Sequence, residues 1–217
     1  MNEHGLFGHL AMRFSAHPEN LATEALHYVL SGSDVARSAF VRYFNQAGLS
    51  LPEMLTFQTQ DHAEDQAIPD LVGLDTALRP VLICEAKFWA GLTDNQPVTY
   101  VRRLPKETDS ILAFIAPGRR IAPLWPELLR RCQCTEIAVS DARQLADDYR
   151  VAKLGPQQLL AIVSWASLLD ALLRPLELQH QSTIAADVAQ LRGSVRANGS
   201  RCVPSTDVGS IGRNRDG

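Results

Sequence analysis

The segment 81–89, with the sequence VLICEAKFW, constrains the fold of this chain more than any other. Its long apolar run is typical of a strand that is buried on both faces near the centre of a sheet. Glu85 and Lys87 interrupt the run, and residues two apart in a strand point to the same side, so their side chains lie next to each other. Burying two charges costs several kcal/mol per ion before their attraction offsets it. The pair therefore predicts a polar site at this strand.

Two amphipathic helices are predicted before any strand. Pro18 suits a first helical position, and an apolar stripe follows it as far as Ser31 and Gly32, which stop the helix. The second helix begins after Ser33 and Asp34, which are typical capping residues, and ends near Gly48.

The remaining pattern predicts strands alternating with helices. Strands are expected over 54–60, 68–74, 81–89, 110–116 and 135–140, and helices over 95–104, 123–131 and 156–173. This order predicts an α/β fold with a mixed central sheet and helices on both faces. We expect one domain over 1–192, with a core at 18–140 and a helical C-terminal part at 156–192. The Gly-, Ser-, Arg- and Asn-rich segment 193–217 is expected to be a disordered tail.

Composition favours a cytoplasmic globular protein. The chain is 46% hydrophobic and 21% charged, which is the balance of an ordinary globular domain. It has no signal-peptide pattern and no run of eighteen apolar residues, so we expect no membrane partner. Its four cysteines are irregularly spaced, which suits a reducing compartment, and Cys132 and Cys134 lack the further ligands that a zinc site needs.

The charge distribution says more than the net charge of −3, which by itself argues against a general polyanion binder. The segment 102–131 contains seven basic and three acidic residues, a local net charge of +4. Two interpretations of this segment stay open: ordinary solvated surface charge, or a face that contacts phosphates.

A second carboxylate is predicted to meet Glu85. Asp70 follows Pro69 at the start of the preceding strand, and a tight hairpin places it beside Glu85. Converging carboxylates repel each other unless one is protonated or a cation joins them, and oxygen ligands favour a hard ion such as Mg²⁺ or Mn²⁺. Such an ion polarises a phosphate oxygen and activates bound water, while Lys87 adds positive charge near the reacting atoms. These residues predict a hydrolytic site.

The pattern Pro69-Asp70, then Glu85-Ala86-Lys87, resembles the PD-(D/E)XK nuclease superfamily over about residues 18–140. The resemblance implies a restriction-endonuclease-like core that binds Mg²⁺ or Mn²⁺. It implies that Asp70, Glu85 and the carbonyl oxygen of Ala86 hold the metal, and that Lys87 orients or activates the water.

Two further residues enter through the same resemblance. Family members often add an acidic residue from the first core helix, and Glu24 is the candidate in this chain. Many also place a glutamine near the site, which Gln96 matches, with Tyr100 one turn later.

The implied function is cleavage of nucleic acid, with DNA favoured over RNA, in bacterial defence or DNA processing. Cutting both strands is simplest for a homodimer, and an activating partner protein is compatible with the pattern. Two alternatives stay open. In the first, the chain has a nuclease fold that has lost catalysis and serves as a binding or assembly module. In the second, it is an unrelated α/β protein in which Glu85 and Lys87 merely pair across the sheet.

Overall fold

Seven strands form one mixed sheet in the computed structural model, which describes residues 18–59, 68–94 and 96–199. In chain order the strands are β1 (Thr56–Gln58), β2 (Leu71–Leu74), β3 (Pro80–Ala86), β4 (Ser110–Ala116), β5 (Ser140–Ala146), β6 (Tyr149–Lys153) and β7 (Gln158–Ser164). Across the sheet their order is β1-β2-β3-β4-β7-β6-β5. β3, β4 and β7 are parallel to one another, and the flanking strands are antiparallel.

Helices cover both faces of the sheet. They are α1 (Pro18–Gly32), α2 (Asp34–Asn45), α3 (Val98–Val101), α4 (Gly118–Gln133), α5 (Trp165–Leu178) and α6 (Ser182–Gly199). α1, α2, α5 and α6 pack with the face of β4 that carries Ile111, Ala113 and Ile115. α3 and α4 pack with the opposite face, which carries Leu112 and Phe114. The predicted α/β class, with helices on both faces of a mixed sheet, is confirmed.

The parallel strands decide where the site lies. All seven residues of β4 are buried, and its Ala113 pairs with Cys84 of β3 on one side and Ala161 of β7 on the other. Because parallel strands run in the same direction, Ala86, Ala116 and Ser164 all end at one edge of the sheet. Ligand sites in α/β sheets usually lie at this carboxyl edge.

The prediction of a helix over 156–173 was wrong in its first half. Gln158–Ser164 is β7, a fully buried strand, and α5 begins at Trp165, where Ser164 caps it by accepting a hydrogen bond from Ser167 N. A continuous apolar run such as QLLAIVS has no period that separates a buried strand from a buried helix. Pairing with β4, which is distant in sequence, makes it a strand.

The strand predicted over 135–140 was also wrong, because the chain there forms turns and loop, and β5 begins only at Ser140. β5 is an edge strand that pairs with β6 alone, and most of its residues are exposed. Its sequence SDARQLA lacks the apolar alternation that identifies a half-buried strand. The hairpin of β5 and β6 was therefore missed.

The ends of other elements shift. α3 spans only Val98–Val101 rather than 95–104, and α4 begins at Gly118 although Pro123 looked like its first residue. The buried face of α4 offsets the hydrogen bonds lost at its two internal prolines. α6 runs to Gly199, so the tail predicted from 193 begins within a helix, and residues 200–217 lie outside the described part. Within the described ranges, no helix is long and apolar enough to span a membrane.

Substitution of Trp165 tests the packing of α5 at its junction with β7, where the sequence predicted one continuous helix. Its indole is 1% exposed and stacks on Phe88, with ring centroids 5.8 Å apart. We expect Trp165→Ala to lower the free energy of unfolding by about 3–5 kcal/mol, as for other buried aromatics. Urea denaturation measures this, and Leu178→Ala on the same helix, where the side chain is 71% exposed, should change it by less than about 0.5 kcal/mol. Equal effects of the two substitutions would contradict the packing of α5.

Candidate metal centre

Glu85 and Lys87 form a buried ion pair at the end of β3. Each residue is 5% exposed, and Lys87 Nζ donates to Glu85 Oε1 at 2.8 Å. β3 ends at Ala86, but the backbone N–H of Lys87 still donates to Ile115 O at 2.9 Å, so Lys87 continues the pairing with β4. The side-by-side arrangement predicted from the two-residue spacing is confirmed.

Asp70 joins the pair from the neighbouring strand. Leu71 of β2 pairs with Cys84 in antiparallel register, and extending that register by one residue places Asp70 opposite Glu85. The carboxylate oxygen Oδ2 of Asp70 accepts a hydrogen bond from the backbone N–H of Ala86 at 2.7 Å. The structure therefore brings the two carboxylates together, as the hairpin argument predicted.

Gln96 also binds the carboxylate of Glu85, and Tyr100 contacts Gln96. Gln96 lies just before α3 rather than on it, is 3% exposed, and its Nε2 donates to Glu85 Oε1 at 2.7 Å. The same Nε2 lies 3.1 Å from Tyr100 Oη, whose hydroxyl donates to Ile68 O at 3.1 Å. The amide and the phenol thus link β3 to the residues that lead into β2. Sequence reasoning placed Gln96 near the site, and the structure brings it there.

One oxygen of Glu85 is left without a partner. Oε1 accepts from both Lys87 and Gln96, whereas Oε2 is buried and has no hydrogen-bond partner among the described residues. An unsatisfied buried polar atom costs about 1–3 kcal/mol, and more when it is charged. Burial, together with the charge of Glu85, raises the pKa of Asp70 to about 7, against the opposing effect of the hydrogen bond from Ala86 N. Both features indicate that a positive charge would be stabilised next to these two carboxylates.

The oxygen atoms at this place suit a magnesium-type ion. Lys87 N points to β4, so the N–H and carbonyl of Ala86 point away from β4, and the N–H meets Asp70. The carbonyl oxygen of Ala86 therefore points towards the β2 side, from which Asp70 approaches. No group of three or more His, Cys, Asp or Glu residues suited to a metal occurs in the described part. Mg²⁺ needs no such cage, since it keeps several waters and is commonly bound by one or two carboxylates.

The carboxylate that α1 brings to the site is that of Glu19, which sequence reasoning missed. Glu19 Oε1 accepts hydrogen bonds from Phe88 N at 2.5 Å and Trp89 N at 3.4 Å, and its charge helps to raise the pKa of Asp70. Glu24, the residue chosen from the sequence, lies five residues further along α1 and is half-buried there. The structure thus favours Glu19 over Glu24. An acidic residue in the first turn of a helix is expected from the helix dipole alone, so nothing in the sequence indicated that Glu19 also binds the backbone after β3.

Comparisons of this chain with protein-family models, with curated proteins and with solved structures return no match. The resemblance to the PD-(D/E)XK superfamily therefore rests on the residues quoted from the sequence. What the site does has to be argued from its geometry.

The raised pKa of Asp70 predicts a pH-dependent stability. The folded-state pKa is about 7 and the ordinary value is 3.8, so between these values the folded state binds more protons than the unfolded state. Stability from this group is therefore fully present below about pH 4 and is lost as the pH rises through 7. In EDTA, the wild-type chain should lose stability relative to Asp70→Asn between pH 4 and pH 8, as measured by urea denaturation. Added Mg²⁺ should restore the wild type at pH 8 and leave the variant unchanged. Parallel pH profiles for the two chains would argue against a strained carboxyl pair.

Glu19 and Glu24 form a matched pair for testing the role of α1. Glu19→Ala removes the acceptor of two backbone N–H groups, so we expect a loss of about 1–3 kcal/mol in the free energy of unfolding. Glu19→Gln keeps an acceptor oxygen and should recover most of that loss. Glu24→Ala should have little effect on stability. A larger effect of Glu24→Ala than of Glu19→Ala would reinstate the choice made from the sequence.

Proposed function

We propose that this chain is a nuclease that uses Mg²⁺ or Mn²⁺ to hydrolyse phosphodiester bonds of nucleic acid, with DNA favoured over RNA. The observation that carries the proposal is the buried, unpartnered Oε2 of Glu85 beside Asp70, whose pKa is raised to about 7. A hard divalent cation meets the needs of both carboxylates at once. A purely structural ion pair between Glu85 and Lys87 would need neither Asp70 nor an unsatisfied oxygen.

The core that we propose is restriction-endonuclease-like and runs from α1 to β4. Its support is the order of the elements: antiparallel β1, β2 and β3, then α3, then the parallel strand β4. Asp70 precedes β2, and Glu85 and Lys87 lie at the end of β3, as the pattern implies. The second helix α2 and the strands β5 to β7 are additions to that core.

Each residue has a distinct task in this mechanism. Asp70, Glu85 Oε2 and the carbonyl oxygen of Ala86 would hold the cation. When bound, the cation polarises a phosphoryl oxygen and lowers the pKa of the attacking water. Gln96 acts on Glu85, because its hydrogen bond engages Oε1 and so would leave Oε2 available to hold the cation. The water loses a proton as its oxygen forms the new P–O bond, the P–O bond to the leaving nucleoside oxygen breaks, and that oxygen takes up a proton, so one water is consumed for each bond cleaved.

Lys87 supplies positive charge where negative charge develops. Its ammonium has three N–H donors, of which one is directed at Glu85, and burial protects it from screening by solvent. Such a cation orients the attacking water and stabilises the extra charge of the transition state. The hydrogen bond to Glu85 also holds the Lys87 ammonium next to the carboxylate that would bind the metal ion.

Substitution of Lys87 tests the proposal directly. We expect Lys87→Met to reduce Mg²⁺-dependent cleavage by about 10²–10⁴-fold, as for loss of other charged catalytic groups. Because the substitution also leaves the buried charge of Glu85 without Lys87, cleavage is compared under conditions in which urea denaturation shows both chains to be folded. Cleavage of plasmid, linear and single-stranded DNA and of RNA measures this and identifies the substrate. Glu85→Gln should also abolish cleavage and weaken binding of Mn²⁺ in calorimetry. Lys153→Met is the matched control, since Lys153 is an exposed strand lysine at the end of β6.

Two results would contradict the proposal. Cleavage that persists in both Lys87→Met and Glu85→Gln would place the activity elsewhere or in a contaminant. Absence of cleavage of every substrate, together with absence of divalent-ion binding, would favour the binding or assembly module that has lost catalysis.

A further inference from the structure

We infer that Arg119 and Arg120, at the start of α4, bind a phosphate of the nucleic-acid strand next to the phosphate that is hydrolysed. The inference rests on the proposed function for the identity of the reacting phosphate. It adds the residues that recognise the polymer and the requirement for a ligand with more than one phosphate.

The fold places the two arginines beside the candidate metal centre. β4 is the strand next to β3, and its last residue, Ala116, lies at the same edge of the sheet as Ala86. α4 begins two residues later, at Gly118. Paired strands lie about 4.8 Å apart, so the first turn of α4 lies within reach of a long side chain from the end of β3. Asp70 approaches from the opposite side, through β2.

Arg120 is fastened to the segment that follows Lys87. Its guanidinium Nη1 donates to Ala90 O at 3.1 Å, which uses one of five N–H donors. Burial lowers the pKa of Arg120, and the charge of Glu19 opposes this effect. Glu19 in turn accepts from Phe88 N and acts electrostatically on Asp70. Arg120 therefore belongs to the same charged neighbourhood as the two carboxylates.

Arg119 is positioned by an aromatic ring of the same segment. Its guanidinium carbon lies 4.4 Å from the centre of the Trp89 ring, which is a cation–π distance. Arg119 is exposed, and Trp89 is half-buried against the core. A planar guanidinium held in this way keeps its N–H donors in a defined orientation, which suits a phosphate.

Two neighbouring cations favour an anionic ligand. Arg119 adds to the lowering of the pKa of Arg120, which shows that their charges repel each other. A phosphate between them would relieve this repulsion. Because they lie on the β4 side of the site, a ligand gains from both arginines and from the metal position only if it carries at least two phosphates. A polynucleotide strand has this chemistry.

The basic segment 102–131 does not form one face, and this supplies a control. Arg102 and Arg103 follow α3 and are exposed. The next residue, Leu104, accepts a hydrogen bond through its carbonyl from Gln158 Nε2, at the start of β7. Arg102 and Arg103 therefore lie towards the amino end of the parallel strands, away from Glu85. They form a second arginine pair of equal charge, and they lie between Tyr100, which contacts Gln96, and Leu104.

The experiment measures binding by fluorescence anisotropy of labelled single-stranded and duplex oligonucleotides in EDTA, which prevents cleavage. We expect Arg119→Gln/Arg120→Gln to weaken binding by tenfold or more at low salt, as phosphate contacts are lost. The slope of log K against log salt should become shallower by up to about 1.4 for single strands or about 1.8 for duplex. Arg102→Gln/Arg103→Gln should leave both the affinity and the slope close to wild type.

The single variant Arg119→Gln covers the case in which the double variant fails to fold, because it keeps the hydrogen bond from Arg120 to Ala90. It should weaken binding in the same direction, by less. With bis(p-nitrophenyl) phosphate, which has one phosphate, the wild-type chain gives a measure of Mg²⁺-dependent hydrolysis that needs no neighbouring phosphate.

The outcomes separate this inference from the proposed function. The inference is overturned if the two double variants lose binding equally, or if neither loses binding. It is also overturned if the wild-type chain hydrolyses bis(p-nitrophenyl) phosphate but binds no oligonucleotide. Loss confined to the Arg119 and Arg120 variants supports it, even in a chain that shows no hydrolysis. In that last case the proposed nuclease activity alone fails.

Discussion

The buried contact between Lys87 and Glu85 is the constraint on which the rest of this structure depends. A carboxylate at 5% exposure is tolerable only if its charge is compensated, and removing one partner of a buried pair leaves an uncompensated charge. Lys87 and Gln96 both donate hydrogen bonds to Oε1, whereas Oε2 has no hydrogen-bond donor among the described residues. The neighbouring strands β2 and β4 position the groups that surround Oε2.

Two kinds of strand pairing meet at Glu85 and make this possible. Parallel pairing with β4 fixes the end of β3 and directs the N–H and carbonyl of Ala86 towards the other side. Antiparallel pairing with β2 brings Asp70 to that side. The segment after Lys87 is then held by hydrogen bonds to Glu19 and by the stacking of Phe88 on Trp165. Packing on one face of the sheet thus supports the charged groups at its edge.

Local rules predicted most of the site and only part of the fold. The period of two in a strand placed Glu85 beside Lys87, and hairpin geometry placed Asp70 beside Glu85. These are short-range consequences of the backbone. β7 was mistaken for a helix because only pairing with β4, more than forty residues away, distinguishes the two. Glu19 was missed in favour of Glu24 for a similar reason, since its partners Phe88 and Trp89 are distant in sequence.

The charges around the site show how the proposed cation and the proposed phosphate would complement each other. Three carboxylates, those of Glu19, Asp70 and Glu85, share this edge of the sheet with the side-chain cations Lys87 and Arg120 and with the more exposed Arg119. The five less exposed groups together carry one negative charge when all are ionised. Burial and the charge of Glu85 raise the pKa of Asp70 to about 7, so protonation of Asp70 competes with this state. A divalent cation would change the balance of these five groups to one positive charge, which the single charge of a phosphodiester would neutralise. In a site of low dielectric, where uncompensated charge is costly, the proposed cation and phosphodiester would therefore stabilise each other's binding.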